Sequence, residues 1–392
     1  MKPLLVLTLA VLPAAAQIAV RAGMLHTLAG EPIRDGVVLV RDGRIERVGP
    51  AASTPIPAGY RTLQAAVATP GLIDAHTVAG LSGYLNQPQD QEQTERSAAI
   101  QPELRAIDAF DPRERLVEYL RGFGVTTIHT GHGPGPLVSG QTMIAKTIGE
   151  SADKAALVET AMVAATYGDE ARESGGKSPG TKPKMIAMLR AELIKAQEAI
   201  AKPPTTRDLR NEMFQRLVRR EIPLLVTVHR AYDIATVLRL GKEFNLRLVL
   251  DGAAEAYLMI DGIKASGYPV IVHPTMARAG DETENLSLET ASKLKAAGIP
   301  FALQSGFESY VPKTRVVLFE AGMAAANGLS FRDALAAITI DAARLLGLDR
   351  RIGSLEAGKD ADIALYDGDP FEFTTHCTAT IAGGSVVFEG RQ

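Results

Sequence analysis

The sequence is poor in residues on which several classes of protein depend. Its 392 residues include one cysteine and no tryptophan, and aromatic residues make up 5%. A single cysteine excludes an internal disulfide, and the scarcity of aromatic side chains argues against a stacking platform for single-stranded nucleic acid. Lys and Arg number 42 against 45 Asp and Glu, and they are scattered along the chain. We therefore expect no nucleic-acid partner.

Long apolar runs are also missing, since a membrane span needs about 20 consecutive apolar residues. The N-terminal residues 1–16 read MKPLLVLTLAVLPAAA, a lysine followed by a short apolar stretch and small residues. This pattern is typical of a cleaved secretory signal peptide, and a buried N-terminal strand or helix is the alternative. We expect a periplasmic or secreted protein, and the lack of disulfides favours the periplasm. Cys377 is expected to be structural.

Apolar residues make up 46% of the sequence. Their spacing predicts an alternation of apolar strands and amphipathic helices. The predicted strands are 69–76, 124–129, 222–229, 246–250, 268–273 and 299–304, and the predicted helices are 231–244, 255–265, 288–297 and 331–346. This order is typical of a parallel sheet covered by helices. Its length suits a TIM-like (β/α)8 barrel. An open doubly wound sheet is the alternative, but no G-x-G-x-x-G follows the first strand.

Both ends of the chain show short strands separated by turn dipeptides such as Asp42-Gly43 and Gly383-Gly384. We therefore predict a small β-sandwich domain formed by residues 17–66 and 352–392, with a barrel domain over residues 67–351. Two long polar segments, residues 82–102 and 167–183, interrupt the alternation and are either lids or plain surface loops.

The histidines are placed unevenly along these elements. His76, His129, His229 and His273 each end a predicted strand, and His132 lies three residues beyond one of them. The carboxyl ends of parallel barrel strands open onto one face, which carries the active site. A single histidine at a strand end is commonly a structural residue whose hydrogen bonds are satisfied. The five histidines together indicate one cluster. His26 and His376 belong to the terminal strands, and we assign them no function.

Three stretches resemble the amidohydrolase superfamily, in particular the imidazolonepropionase-like group of metal-dependent hydrolases. They are TPGLIDAHTVAG, GFGVTTIHTGHGPGP and GSLEAGKDADIALYDGDP. The resemblance implies a TIM-like barrel with a small β-sandwich, and one or two divalent metals, commonly zinc, at the barrel mouth. It also implies metal-activated water and an aspartate after the eighth strand that moves the proton. The implied reaction is hydrolysis of C–N bonds in amides, cyclic amides or dipeptide-like small molecules.

The family's site residues are only partly present. His76 matches the first histidine of the family's His-x-His pair, and Val78 stands in place of the second. His229 matches the strand-five metal ligand. Gly252 stands at the strand-six histidine position and Gly306 at the strand-eight aspartate position. Valine and glycine side chains cannot coordinate a metal, whereas catalytic zinc usually has three protein ligands.

Other residues are candidates for a rebuilt site. His132 or His273 could supply a third ligand, and Lys146 matches the lysine that bridges two metals in some members. The candidate bases are Asp251, Glu282 and Glu308. The glycine- and proline-rich run over residues 131–141 could cradle an anion, although such runs are more often tight turns.

Three hypotheses follow from the sequence. The first is a hydrolase with a reduced or rebuilt metal site. The second is a catalytically inactive relative that binds a small molecule in the old pocket. The third is a structural or assembly partner, and the sequence also leaves homo-oligomerisation open.

Overall fold

The computed structural model describes residues 17–85, 87–307 and 316–390. The predicted signal peptide, residues 1–16, and the candidate base Glu308 lie outside this part of the chain. Within it, no helix is both long enough and apolar enough to cross a membrane.

The described residues form seventeen strands and ten α-helices. The strands are β1 (Ile18–Leu25), β2 (Ile33–Arg41), β3 (Arg44–Pro50), β4 (Arg61–Pro70), β5 (Leu72–Thr77), β6 (Val125–Thr130), β7 (Val138–Gln141), β8 (Met143–Lys146), β9 (Ala156–Val158), β10 (Val163–Thr166), β11 (Leu224–Val228), β12 (Leu248–Gly252), β13 (Val270–Val272), β14 (Phe301–Leu303), β15 (Ile363–Tyr366), β16 (Cys377–Ala382) and β17 (Ser385–Glu389). The helices are α1 (Arg115–Arg121), α2 (Ala152–Ala155), α3 (Lys182–Ala201), α4 (Leu209–Val218), α5 (Ala231–Glu243), α6 (Ile260–Ser266), α7 (Thr290–Ala297), α8 (Val317–Ala326), α9 (Phe331–Ala337) and α10 (Ile340–Leu345).

Both ends of the chain join one seven-stranded sheet, in the order β17-β16-β15-β4-β1-β2-β3. The two ends meet where β15 runs antiparallel to β4, and β1 pairs with β4 in parallel. The described residues thus bring the termini together as the turn dipeptides predict. They form a single sheet here, and a sandwich of two layers stays a prediction, as do the domain boundaries.

The middle of the chain forms two further sheets, ordered β14-β13-β12-β11-β10-β7 and β5-β6-β8-β9. Strands β10 to β14 are mutually parallel, as are β5 and β6. One extended segment links the sheets, because β7 runs antiparallel to β10 and β8 runs antiparallel to β6. A bridge between Thr77 and Gly306 joins the outer parallel strands. The parallel α/β arrangement is confirmed, and closure into one continuous (β/α)8 barrel stays a prediction.

Strands β5 to β8 and β10 to β14 are buried on both faces, which explains their near-continuous apolar sequences. In β11, Leu224 and Val226 pack in a core cluster that includes residues of the helices, whereas Leu225 packs in a second cluster. Besides Ala342 and Ala343 of α10, this second cluster contains one or two residues within or next to each of several strands: Ile73, Ala75, Ile144, Met162, Leu225, Val249, Ile271 and Ala302. We call this cluster the inner layer. Because side chains alternate along a strand, the positions two residues further on share the same face.

The helix predicted over residues 331–346 is two helices, α9 and α10. The helical pattern is broken at Ile338 and Thr339, where the carbonyl of Ile338 accepts a hydrogen bond from the backbone N–H of Ile73 at 2.8 Å. The Thr339 hydroxyl donates to the carbonyl of Leu335 at 2.6 Å. The contact with strand β5, which local sequence does not encode, therefore interrupts the predicted helix.

A buried ion cluster joins the middle of the chain to the terminal sheet. The Lys146 ammonium at the end of β8 forms an ion pair with Asp362, and it lies 3.4 Å from Oδ2 of Asp360. All three side chains are less than a tenth exposed. The Arg351 guanidinium also pairs with Asp360, at 2.8 Å. Lys146 and Arg351 together therefore balance the charges of two buried carboxylates that lie just before β15.

We predict that Lys146→Met lowers the free energy of unfolding by about 3 kcal/mol, because removing one partner of a buried ion pair leaves an uncompensated charge. Urea unfolding followed by circular dichroism measures this difference. Lys154→Met, at an exposed position of α2, is the matched control and should change stability by less than about 0.5 kcal/mol. Equal effects of the two substitutions would contradict the structural role of Lys146.

Candidate active site

The polar residues of the site continue the inner layer toward the carboxyl ends of the strands. Thr227 and His229 follow Leu225 at intervals of two residues, and the other parallel strands repeat this step. The inward-facing polar positions reached in this way are Thr227, His229, Asp251, His273 and Gln304. The side-chain period of a strand thus places them above an apolar floor on one face.

Asp251 is the centre of this group. Its Oδ1 lies 3.0 Å from Nδ1 of His76 and accepts a hydrogen bond from Nε2 of Gln304 at 2.9 Å. Its Oδ2 accepts a hydrogen bond from the Thr227 hydroxyl at 2.6 Å. The carboxylate is 2% exposed. Four parallel strands or strand ends therefore meet on one buried carboxylate.

The contacts stabilise the charged form of Asp251 and that of His76, so the His76 ring is neutral only above its raised pKa. Burial raises the pKa of Asp251, but the His76 charge and the hydrogen bonds from His76, Thr227 and Gln304 outweigh burial and leave this pKa lowered. Burial also lowers the pKa of His76, and attraction to Asp251 overcomes it, so the pKa of His76 is raised. A carboxylate only accepts hydrogen bonds, so Nδ1 of His76 donates to Asp251. When the ring is neutral, Nε2 therefore carries the lone pair.

Nε2 of His76 is buried and makes no hydrogen bond with any described residue. A buried, unpaired nitrogen is costly unless a ligand or water occupies the space beside it. The His76–Asp251 pair therefore presents a basic nitrogen, oriented by a carboxylate, to whatever binds there.

Asp74 lies in the same strand as His76 and is fully buried. Its Oδ1 accepts hydrogen bonds from the backbone N–H groups of Ser305, at 3.0 Å, and of His76, at 3.3 Å. Burial raises the pKa of Asp74 to about 7, although these hydrogen bonds oppose the shift. Asp74 therefore ties β5 to the segment after β14 and changes charge near neutral pH.

His129 has a structural role. Its Nδ1 lies 2.6 Å from the carbonyl of Ala75 and its Nε2 lies 2.7 Å from the Thr142 hydroxyl. The carbonyl requires a proton on Nδ1, so Nε2 accepts from Thr142. Burial, together with the charge of His76, lowers the pKa of His129 to about 3. Both nitrogens are satisfied, and the ring stays neutral beside that of His76.

His229 and His273 stand near Asp251 with unpaired nitrogens. Nδ1 of His229 and Nε2 of His273 are buried without a hydrogen bond from any described residue. Burial lowers the pKa of His229 to about 4, against the attraction of Asp251. Burial also lowers the pKa of His273, against hydrogen bonds with the main chain of Pro274 and of Ser287; Nδ1 lies 2.9 Å from the carbonyl of Pro274. With the proton on Nδ1, Nε2 of the neutral ring is an acceptor.

The positions where family side chains are missing are closed by neighbours. A Cβ atom on Gly252 would lie 2.5 Å from Cε1 of His229. Gly306 has a φ of +68°, and a Cβ atom there would lie 2.4 Å from Cγ of Pro274. Val78 is buried at 2% exposure. The His229 ring thus occupies the space that a side chain at position 252 would need. The positive φ of Gly306 disfavours an aspartate at that position.

The donor set does not match the zinc centre that the resemblance implies. His76 and His229 have buried unpaired nitrogens, but Asp251 is already held by three side chains. Across residues 17–85, 87–307 and 316–390, no group of three or more His, Cys, Asp or Glu side chains is arranged to hold a metal ion. The residues therefore do not fit a catalytic zinc with three protein ligands. Zinc held by His76 and His229 stays a prediction.

The other candidate residues lie apart from Asp251. Lys146 contacts Asp360 and Asp362 instead of the histidines. Oε2 of Glu282 accepts a hydrogen bond from the backbone N–H of Asp169 at 2.7 Å, and its Oε1 lies 3.9 Å from Nζ of Lys182. Glu282 therefore anchors both ends of the polar segment 167–183 to the loop after β13. A lid function of this segment stays a prediction.

His132 lies beyond β6, in the glycine-rich run, and its ring is buried. Neither ring nitrogen has a hydrogen-bonding partner among the described residues. Burial lowers the pKa of His132, and a hydrogen-bond contact with the main chain of Gln93, too poorly aligned to satisfy the ring, opposes this effect. His132 thus faces the segment 82–102 instead of Asp251.

Comparison with known proteins agrees with this geometry. A sequence profile described as the amidohydrolase family matches residues 114–388. The chain belongs to the amidohydrolase family. This amidohydrolase is 28% identical to the imidazolonepropionase of Rhizorhabdus wittichii, over 88% of this chain and 92% of the relative. It is 29% identical to that of Stenotrophomonas maltophilia, over 88% of this chain and 89% of the relative. These relatives confirm the imidazolonepropionase-like resemblance.

Solved structures support the same assignment. A crystal structure of an amidohydrolase from Thermotoga maritima superimposes with a TM-score of 0.89 at 26% identity, covering 95% of this chain and all of the other. A zinc-bound adenosine deaminase from Xanthomonas campestris matches with a TM-score of 0.57 at 18% identity, over 95% of this chain and 92% of the other. At that identity the second likeness shows the fold alone. Amidohydrolases are generally metal-dependent, whereas no group of three or more His, Cys, Asp or Glu side chains among the described residues of this member is arranged to hold a metal ion.

Sequence reasoning missed three residues that hold the site together. Thr227 and Gln304 fix the Asp251 carboxylate, and Asp74 fixes the strand that carries His76. A signal for the first two was present, because both lie on the inward face of strands whose preceding inward residues are apolar. Asp74 gave no comparable signal. A charged residue in the middle of an apolar run is equally consistent with a buried carboxylate and with a wrongly assigned strand.

We predict that Asp74→Asn stabilises the protein at high pH by a few kcal/mol and has little effect at pH 4. The folded-state pKa, about 7, exceeds the unfolded value, so wild-type stability falls as pH rises from about 4 to about 7. Asparagine keeps the acceptor oxygen and never ionises. Urea unfolding of both proteins between pH 4 and pH 8 measures the difference, and a difference that is independent of pH would contradict the assignment.

Proposed function

We propose that this protein is an exported hydrolase that cleaves C–N bonds in small molecules, cyclic amides above all, with a site rebuilt around His76 and Asp251. Membership of the amidohydrolase family supports C–N hydrolysis. The relatives named imidazolonepropionase support a small cyclic substrate. The export rests on the signal-like sequence of residues 1–16.

One observation carries the proposal: His76 donates through Nδ1 to a fully buried Asp251 while its Nε2 is unpaired. A carboxylate that orients an imidazole fixes its tautomer and stabilises the imidazolium that forms when the ring accepts a proton. The raised pKa of His76 makes Nε2 a stronger base than an exposed histidine. The pair can therefore activate a water molecule directly.

The steps balance without a further reactant. Nε2 of His76 takes a proton from water as the water oxygen attacks the amide carbonyl carbon, and a tetrahedral intermediate forms. The imidazolium then returns this proton to the amide nitrogen as the C–N bond breaks. The products are a carboxylic acid and an amine, and His76 is again neutral. General acid–base catalysis of this kind contributes about 10²–10⁴-fold to a rate.

His229 and His273 complement an amide. The Nδ1 of His229 is unpaired among the described residues, and the depressed pKa keeps this ring neutral. A neutral ring with a proton on that nitrogen donates to the amide oxygen, where negative charge develops. Nε2 of His273 is an acceptor and can receive the amide N–H.

The test is turnover of lactams, hydantoins and dipeptides by the mature protein, with His76→Gln and Asp251→Asn as variants. We expect each substitution to lower kcat/KM by about 10²–10⁴-fold. His376→Ala, at an exposed histidine, is the matched control and should keep wild-type activity. Activity should rise with pH through the raised pKa of His76, because only the neutral ring accepts a proton. Asp251→Asn should move this inflection to lower pH.

Chelation separates this mechanism from a metal centre. Activity that survives dialysis against a strong chelator is the expected result. Activity that is lost on chelation and restored by zinc would overturn the metal-free role of His76.

The geometry at Gly306 favours one alternative, a catalytically inactive relative that binds a small molecule. Pro274 and the positive φ leave no place for the family's proton-transferring aspartate at this position. Such a protein would show a ligand-dependent rise in melting temperature without turnover. A stable complex with another protein and an unresponsive pocket would indicate an assembly partner instead.

A further inference from the structure

Three buried side chains beside the His76 site have hydrogen-bonding atoms that the fold does not use. They are Ser82, Gln93 and His132, which are 0%, 2% and 7% exposed. The unpaired atoms are the Ser82 hydroxyl oxygen, Oε1 of Gln93 and both ring nitrogens of His132, considering the part of the chain that the structure describes. Each such atom destabilises the fold if it is left without a partner. Several of them in one region indicate a polar occupant.

The main chain brings these three residues together. The backbone N–H of Gly133, next to His132, donates to the carbonyl of Gln93 at 2.8 Å. Ser82 forms a bridge with Gln91, two residues before Gln93. The segment that follows strand β5 therefore folds back against the glycine-rich run after β6.

The glycine-rich run is shaped around the His132 ring. A Cβ atom on Gly140 would lie 2.4 Å from Cδ2 and 2.6 Å from Nε2 of His132. A side chain at position 140 would therefore displace the ring. The run is more than a tight turn, because its glycine makes room for a buried imidazole with no partner.

The glycine-rich run adjoins the strand that carries His76. The backbone N–H of Gly131 donates to the carbonyl of Thr77 at 3.3 Å, and that of Gly306 donates to the carbonyl of His76 at 3.1 Å. A Cβ atom on Gly133 would lie 3.3 Å from the Phe307 ring. The run over residues 131–133 thus lies against the two chain segments that border His76.

The chemistry of the three groups defines what they can recognise. A neutral imidazole has one N–H donor and one acceptor nitrogen, an amide oxygen accepts, and a hydroxyl does both. No charged side chain belongs to the set. A neutral group with a donor and an acceptor side by side, such as the cis-amide edge of a ring, can donate to Oε1 of Gln93 and accept from the Ser82 hydroxyl or the His132 ring N–H.

We propose that Ser82, Gln93 and His132 form a recognition subsite for the neutral amide or imide edge of a cyclic substrate. This inference rests on the proposed function for the identity of the bond that is cleaved. The binding contacts themselves do not depend on that reaction. Ser82, Gln93 and His132 are specificity-determining residues in this account, and His76 and Asp251 perform the chemistry.

The test is equilibrium binding of hydantoin, measured by calorimetry on the full mature chain carrying His76→Gln so that no turnover occurs. We expect Gln93→Leu and His132→Phe, each added to that background, to weaken binding about tenfold. 1,3-Dimethylhydantoin, which lacks N–H donors, should bind about tenfold more weakly than hydantoin to the unaltered subsite. Adding His376→Ala should change nothing.

A second readout does not depend on affinity. The ¹⁵N resonances of the His132 ring, assigned by their absence in His132→Asn, should shift when hydantoin binds. Thermal unfolding of each variant shows whether it is folded, and His132→Asn replaces His132→Phe if the larger ring prevents folding.

The outcomes separate the subsite from the reaction. Hydantoin that binds equally to all variants, or that does not bind at all, would overturn the subsite and assign the unpaired atoms to buried water. Suppose that hydantoin binding depends on Gln93 and His132 but that the wild-type protein does not hydrolyse hydantoin. This result would overturn the proposed reaction and support the subsite.

Discussion

The arrangement of the site depends on one buried carboxylate, that of Asp251. It receives hydrogen bonds from His76 on β5, Thr227 on β11 and Gln304 after β14, and it lies itself on β12. Removing a carboxylate from water is expensive unless its oxygens are satisfied. Here three donors satisfy them, and the same contacts fix the orientation of His76. The electrostatic cost of burying Asp251 and the chemistry available to His76 are therefore coupled.

This carboxylate gives a physical account of how an amidohydrolase can hold a defined site with few metal ligands. Members of the family generally depend on a metal ion, a cation that its ligands surround. In this chain the gathering group is Asp251, and the side chains around it donate hydrogen bonds to an anion instead of lone pairs to a cation. Gly252 belongs to the same arrangement, because the His229 ring occupies the space that a side chain there would need.

Part of this could be predicted from the sequence. Apolar strands that end in histidine placed His76, His229 and His273 at one face, and the resemblance located the substituted positions at Val78, Gly252 and Gly306. The direction of the segment over β7 and β8 could not be predicted, because side-chain alternation is the same in parallel and antiparallel strands. The resemblance suggested a metal-bridging role for Lys146, but its ion pairs could not be predicted, because Asp360 and Asp362 lie more than 200 residues away. Long-range pairing of this kind leaves no local pattern.

The most direct test of the account is the metal content of the mature protein purified without chelators, beside a His76→Ala, His229→Ala double variant. If Asp251 organises the site, elemental analysis should find far less than one zinc or similar metal per chain in either protein. About one metal per chain in the wild type, lost in the double variant, would contradict the account and establish a metal centre on His76 and His229.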